Sequence, residues 1–548
     1  MGDTASGLLT IAVLVAALAI VHVPLGTWMA RVFTDEKHWR VERLVYRLVR
    51  VDPSSEQRWT TYALAVVGFS VVGIVLLFAM IAAQDVLPLG RGASMHLDTA
   101  FNTAVSFVTN TNWQSYAGES GASPLVQTLG LTVQNFVSPA VGLAVAVALV
   151  RGLARSGAAT VGNFWVDLVR GVVRVLLPIA VLGAVVLLLG GVVQNLGGPT
   201  SVTTISGGHQ VVQDGLVASQ EAIKELGTNG GGYFNANSAH PFENPTPLTN
   251  LLEIFLLLVI PFSLPRTYGV LVGDRRQGWT VLAFMTTLWG LLVAAVTWAE
   301  VHAAAGPLGA MEGKELRFGV WPSALFAAST TGTSTGAVNS MHESYSALGG
   351  GGALFAMLLG EVSPGGVGTG LYSALLLAVL TVFLSGLMVG RTPELLGKQV
   401  GRREITLTAL ALLVMPALVL AFTGAGMVLP VVSTQMLASG PHGLTEVMYA
   451  YASAANNNGS AFAGLSADTP YLNLTLALCM LLGRFVPILL VLALAGSLAA
   501  QRRRPATAGT LPTHTPTFAG LFTGVALVVT GLTFFPALAL GPLAEALS

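Results

Sequence analysis

The chain has 548 residues, of which 53% are hydrophobic and 9% charged, and its 26 basic and 26 acidic residues balance to zero. An ordinary soluble domain is about one-quarter charged, so there is too little charge here to coat a water-facing surface of this size. That excludes a soluble enzyme, a nucleic-acid binder and a disordered chain, and it leaves a polytopic membrane protein. The one cysteine, Cys479, sits in an apolar run, which rules out an intramolecular disulfide and a thiolate metal cluster.

A helix needs roughly 20 apolar residues to cross about 30 Å of hydrocarbon. Ten windows qualify: 8–30, 60–82, 125–150, 172–196, 248–272, 279–303, 369–390, 405–429, 472–499 and 518–541. The first reads as a retained span. It has Asp3 where a signal peptide would be basic, and no small-residue cleavage pattern follows it. Of the 26 basic residues, 21 fall in, or at the window ends bordering, the connections after the first, third, fifth, seventh and ninth windows. The opposite connections hold only Arg91, Lys224, Lys314 and Arg317, and Arg484 lies inside a window. The positive-inside rule therefore expects the odd connections in the cytoplasm and both termini outside, an alternation that an odd number of spans would break.

The outer connections are long, nearly uncharged and rich in Gly, Asn, Ser and Thr. Four of them carry a polar strip: VTNTNWQ at 108–114, LGTNGGG at 226–232, TGTSTGA at 331–337 and ANNNGSA at 455–461. Thr111, Asn229, Thr335 and Asn458 mark equivalent positions, spaced by 118, 106 and 123 residues with two spans in each interval. The expected architecture is all-α, with ten transmembrane helices and four pseudo-symmetric membrane–pore–membrane repeats around a central selectivity filter. The repeats are drawn at 60–170, 171–278, 279–403 and 404–504. Residues 1–59 form an extra first span with its cytoplasmic loop, and 505–548 an extra last span.

Irregular backbone survives at membrane depth only inside protein or beside water, because unpaired amides and carbonyls cost several kcal/mol each in lipid. Short segments before the strips, such as 97–107 and 322–330, can dip inward as half-helices and leave each strip to climb back out. Glycine lets successive carbonyls turn toward one axis without a Cβ clash. Four such strips would reproduce the carbonyl rings that replace the hydration shell of a potassium ion. No ring of carboxylates suggests a divalent site.

The strips themselves, with NANSAHPFENP at 235–245, GAVN at 336–339, NNNGSAF at 456–462 and the stretch 360–398 that includes GLMVGRTPE, resemble the KdpA family over nearly the whole chain. These are the potassium-binding subunits of bacterial Kdp potassium-transporting ATPases. The resemblance implies an ion held by backbone carbonyls at the outer mouth, at Asn110 and Thr111, Thr228 and Asn229, Ser334 and Thr335, and Asn457 and Asn458. It also implies that Gln114, Gly230, Gly336 and Gly459 tune affinity. Family members often carry cysteine where this chain has Thr335; a backbone carbonyl is unchanged by that swap, so binding is expected to survive. The likeness further implies three partners in the bacterial inner membrane: a P-type ATPase subunit (KdpB-like), an accessory subunit (KdpC-like) and a small single-span subunit (KdpF-like). Ions would reach the ATPase through an intramembrane tunnel.

Arg484, mid-span, is costly unless it faces a cavity or a partner. The resemblance favours a cation barrier below the filter, against a structural ion pair. The glycine-rich stretch 349–370, holding Glu361, cannot form one regular helix and is expected to be a broken helix with a gating segment under the third strip. No phosphate-binding loop, Asp-Lys-Thr-Gly phosphorylation motif or histidine–carboxylate metal cluster occurs, and the inner loops are too short for a nucleotide domain. The chain is thus expected to bind potassium but no nucleotide, and not to be catalytic by itself. A stand-alone potassium channel or symporter with the same filter is the alternative.

Overall fold

A computed structural model describes residues 3–90, 93–303, 309–505 and 510–548. Arg91, counted above among the outer basic residues, lies outside them. Ten helices are long and apolar enough to cross a bilayer: Asp3–Thr34, Trp59–Ala82, Val126–Ala154, Phe164–Leu189, Pro247–Leu271, Arg275–Val301, Thr369–Val389, Arg402–Val428, Pro470–Ala500 and Pro516–Leu540. Each expected window corresponds to one of them. The fourth starts eight residues earlier than expected, because Asn163 caps it: Asn163 Oδ1 accepts from the amides of Trp165 and Val166. Three spans open on a Thr-Pro pair, Thr246–Pro247, Thr469–Pro470 and Thr515–Pro516. In each the threonine hydroxyl accepts a first-turn amide, and proline occupies a position whose N–H would be unpaired anyway.

Burial separates inner from outer spans. The most apolar window of the third span is 83% buried, against 17% for the first and 22% for the eighth. Lipid tails are as apolar as leucine, so helices in a bilayer associate through close packing of small residues. Gly152 of the third span shows this, since a Cβ there would stand 2.5 Å from the Ala495 carbonyl of the ninth. The glycine-rich stretch is a broken helix, as expected: Ala347–Leu358, then a turn, then the seventh span from Thr369. Short strands also form outside the spans. One antiparallel hairpin pairs Thr200–Thr203 with His209–Val212, and a second pairs Glu394–Leu395 with Lys398–Gln399.

The odd-numbered connections meet at one end of the bundle and interlock. Gln57 bridges Gly162, Lys398 Nζ donates to the carbonyls of Arg155 and Gln501 at 2.5 Å each, and Gln277 bonds Thr513. The Arg155 guanidinium hydrogen-bonds Glu56 and holds its carboxyl below the usual range. Deeper in, Arg151 grips Asp167 with two bonds, 2.6 and 2.8 Å, and Tyr62 donates to the same carboxylate at 2.9 Å. This network joins the second, third and fourth spans. Removing one partner strands the other as a buried charge, so Asp167→Ala should destabilise the protein by about 3–5 kcal/mol. Thermal unfolding in nanodiscs checks this, and a double-mutant cycle with Arg151→Met should show most of the loss to be shared.

Candidate functional site

Four short helices end at the four strips: Leu97–Val108, Val217–Leu226, Val320–Gly332 and Gly440–Asn456. They stop in the same way. Just past each end, Asn110, Thr228, Ser334 and Asn457 adopt left-handed backbone, with φ of 70°, 50°, 57° and 57°. The next residue then donates its amide to the carbonyl five positions back: Thr111 to Ser106 (3.0 Å), Asn229 to Lys224 (2.9 Å), Thr335 to Thr330 (3.0 Å) and Asn458 to Ser453 (2.8 Å). This is the six-to-one bond of a Schellman turn, which satisfies an orphan helix carbonyl while reversing the chain. None of the four left-handed residues is glycine, and one is the β-branched Thr228. Such backbone costs of order 1 kcal/mol or more and persists where the surroundings over-determine it.

The strips converge. A Cβ on Gly230 would lie 3.0 Å from Gly336 Cα and 3.2 Å from the Asn458 carbonyl, and would collide with the Thr111 carbonyl. A Cβ on Gly336 would meet Gly459 Cα at 2.6 Å and the Asn458 carbonyl at 2.8 Å. Residues of all four repeats thus touch around one axis, with main-chain oxygens among the closest atoms. Glycine at 230 and 336 is what permits the approach.

Side chains brace this arrangement from behind. Asn110 Nδ2 donates to the Thr228 carbonyl at 2.8 Å, and Ser334 Oγ to the Asn456 carbonyl at 3.0 Å, so the first and third strips each tie to their neighbour. Thr109–Thr111 and Thr333–Thr335 form matching hydroxyl pairs at 2.8 Å. The Thr335 carbonyl accepts from Thr330 Oγ1 at 2.7 Å, tying the third strip back to its own helix. Asn457 Nδ2 reaches Thr111 Oγ1 at 3.1 Å. Gln114 Oε1 accepts from the Gly232 amide at 2.9 Å and locks the first strip to the second. The third span adds Asn135 and Ser138, which the sequence reading missed. Asn135 accepts from Asn229 and Asn112, and Ser138 Oγ lies 2.8 Å from Asn110 Oδ1.

Below the strips, Glu361 (φ 52°) accepts from Asn458 Nδ2 at 2.8 Å and from the Ser334 hydroxyl. It therefore holds the third and fourth strips directly. Arg484 is 4% exposed, donates to the Ser138 carbonyl at 3.2 Å, and makes no carboxylate ion pair among the described residues. Glu361, Arg484, Ser334, Asn457 and Tyr372 all line one cavity of about 120 Å³ that extends sideways between the seventh, eighth and tenth spans.

A second unforeseen feature stands behind the second strip. Lys224, 1% exposed, contacts Glu221 at 2.6 Å, Glu243 at 3.0 Å and Glu225 at 3.9 Å. Oxygens of Glu221, Glu225 and Glu253 lie within 4.8 Å of one another. The Glu221–Glu225 pair at helical spacing was visible in the sequence, whereas Glu243 and Glu253 come from other elements. Asn237 couples the cluster to the filter, accepting from Lys224 Nζ at 3.0 Å and from the Val338 amide at 3.3 Å while donating to the Gly231 carbonyl. Lys224→Met would leave these carboxylates without their ammonium, and should lower stability by about 3–5 kcal/mol. Unfolding midpoints would show it, with Glu243→Gln expected to cost less.

Residues 12–547 match the family model for KdpA, described as the potassium-transporting ATPase A subunit. A potassium-transporting ATPase potassium-binding subunit of Kineococcus radiotolerans is 62% identical, with 100% of this chain and 99% of the relative covered. Its counterpart in Streptomyces coelicolor is 59% identical, with both chains covered in full. Among solved structures, the potassium transporter TrkH of Vibrio parahaemolyticus superposes with a TM-score of 0.53 at 14% identity, over 87% of this chain and 97% of that one, which shows a shared fold. The chain, with its four re-entrant strips meeting on one axis, belongs to the KdpA family of potassium-transporting ATPase A subunits.

Proposed function

We propose that this chain is the potassium-binding, channel-like subunit of an ATP-driven potassium uptake complex. The observation that carries this reading is the fourfold recurrence of one turn, a left-handed residue followed by a six-to-one hydrogen bond, at strips that touch one another. Such turns deliver carbonyls to a common axis, where they can replace the water around a weakly hydrated monovalent cation. Asn110, Thr111, Thr228, Asn229, Ser334, Thr335, Asn457 and Asn458 supply the ring, and Gln114, Gly230, Gly336 and Gly459 set its diameter. Four relatives' worth of close likeness at 56–62% identity bear the name potassium-binding subunit, in keeping with this role.

The filter faces the outside and both termini lie there, since the opposite end gathers 21 of the 26 basic residues. The repeats are those drawn from the sequence, with each first helix beginning one to seven residues before the drawn boundary. Arg484 stands as a positive barrier beneath the filter, with no carboxylate ion pair among the described residues, and Glu361 couples the gating segment to the third and fourth strips. Ions then leave sideways along the cavity toward a P-type ATPase subunit, with an accessory subunit and a small single-span subunit completing the complex. The chain supplies selectivity and the partner supplies ATP hydrolysis.

Gly230→Asp should raise the potassium concentration for half-maximal ATPase activity of the assembled complex about tenfold or more, the equivalent of ~1.4 kcal/mol. An unchanged value would remove the filter assignment. The chain reconstituted alone should pass no potassium at channel rates, whereas Arg484→Ala should leak. Channel-rate flux through the unmodified chain would favour a stand-alone channel instead.

A further inference from the structure

The helix Arg40–Leu48 lies five residues beyond the first span and presents three different faces. At 3.6 residues per turn, Glu42 and Tyr46 share one side, Val41, Leu44 and Leu48 share an arc of roughly 60° on the other, and Arg40, Arg43 and Arg47 fill a neighbouring arc of about 60°. The first side is docked. Glu42 and Tyr46 are 0% and 2% exposed, while Val41, Leu44 and Leu48 are 55%, 56% and 74% exposed, with Trp39 beside them at 44%.

The docking is rigid and charge-neutral. Glu42 Oε2 accepts from the Trp39 amide at 2.8 Å and from Arg174 Nη2 at 2.7 Å, and Glu42 Oε1 accepts from Arg174 Nε. Arg174 also holds Asp35 at 2.7 Å and lies 4.7 Å from the Trp39 ring. Arg170 bonds the Asp35 carbonyl at 2.6 Å. The helix is therefore pinned to the start of the fourth span, at the edge of the bilayer. Its one carboxylate is consumed inward, and its free surface shows three arginines and an apolar stripe.

We propose that this helix lies in the plane of the membrane and binds anionic phospholipid, with Val41, Leu44 and Leu48 among the acyl chains and Arg40, Arg43 and Arg47 on the headgroup phosphates. An apolar stripe flanked by cations is the pattern of interfacial helices, and each basic residue near an anionic surface adds attraction. A water-facing helix would gain nothing from exposing these three aliphatic residues. A protein partner would need carboxylates opposite the arginines. The lipid supplies both chemistries at the depth where the helix is held.

Because Cys479 is fully buried, Leu44→Cys or Leu48→Cys gives a uniquely labelled full-length chain. Power-saturation spectroscopy of a nitroxide there, in nanodiscs with and without phosphatidylglycerol, reads its surroundings on either face of the membrane. The expected result is high oxygen and low nickel-chelate accessibility, deepening when phosphatidylglycerol is present. Replacing the arginines by glutamine should lower co-purified phosphatidylglycerol by about fivefold per residue. A label equally open to the nickel chelate in both discs, one shielded from both reagents, or one indifferent to phosphatidylglycerol would overturn the proposal.

Discussion

The structure depends on how a re-entrant helix ends inside a membrane. Its last carbonyls have no intrahelical partner and no water to turn to. At all four pore helices the same solution appears, a left-handed residue that lets the following amide reach back five positions. That bond satisfies the helix end and reverses the direction of the chain. One turn thus serves all four helix ends, and the backbone strain at Thr228 is the part of it that packing must hold in place.

Around this turn the protein has placed its buried charges unevenly. The second strip rests on the Lys224 cluster, reached through Asn237. The third and fourth strips rest on Glu361, a single carboxylate bonded to both. The first leans on the uncharged Asn135 and Ser138. These supports are buried hydrogen-bonded groups that brace the strips from behind. They also make the filter only pseudo-symmetric, and they place Glu361 and Arg484 on the wall of the same cavity.

At the opposite end, arginines that the sequence reading took only as topological markers do structural work. Arg151, Arg155, Arg170 and Arg174 tie successive connections together through carboxylates and carbonyls. Arg174, with Arg170 at the preceding loop, also pins Arg40–Leu48, whose apolar and basic faces have no protein partner among the described residues.

The sequence by itself determined the ten spans, the grouping of basic residues at one end, the four polar strips and their register, because hydropathy, charge and glycine placement are local properties written along the chain. It also marked the broken helix at 349–370 and the oddity of Arg484. Only the tertiary structure decided what lies next to what. Glu361 grips two strips 27 and 97 residues away, Asn135 and Ser138 look like ordinary polar residues in an apolar span, and Glu243 and Glu253 join Lys224 from separate elements. Short strands in the loops were equally invisible. The reason is physical: the partners of a buried polar group are set by which helices pack side by side, and in a bilayer that packing follows small-residue surface fit rather than any periodicity that a linear reading can detect.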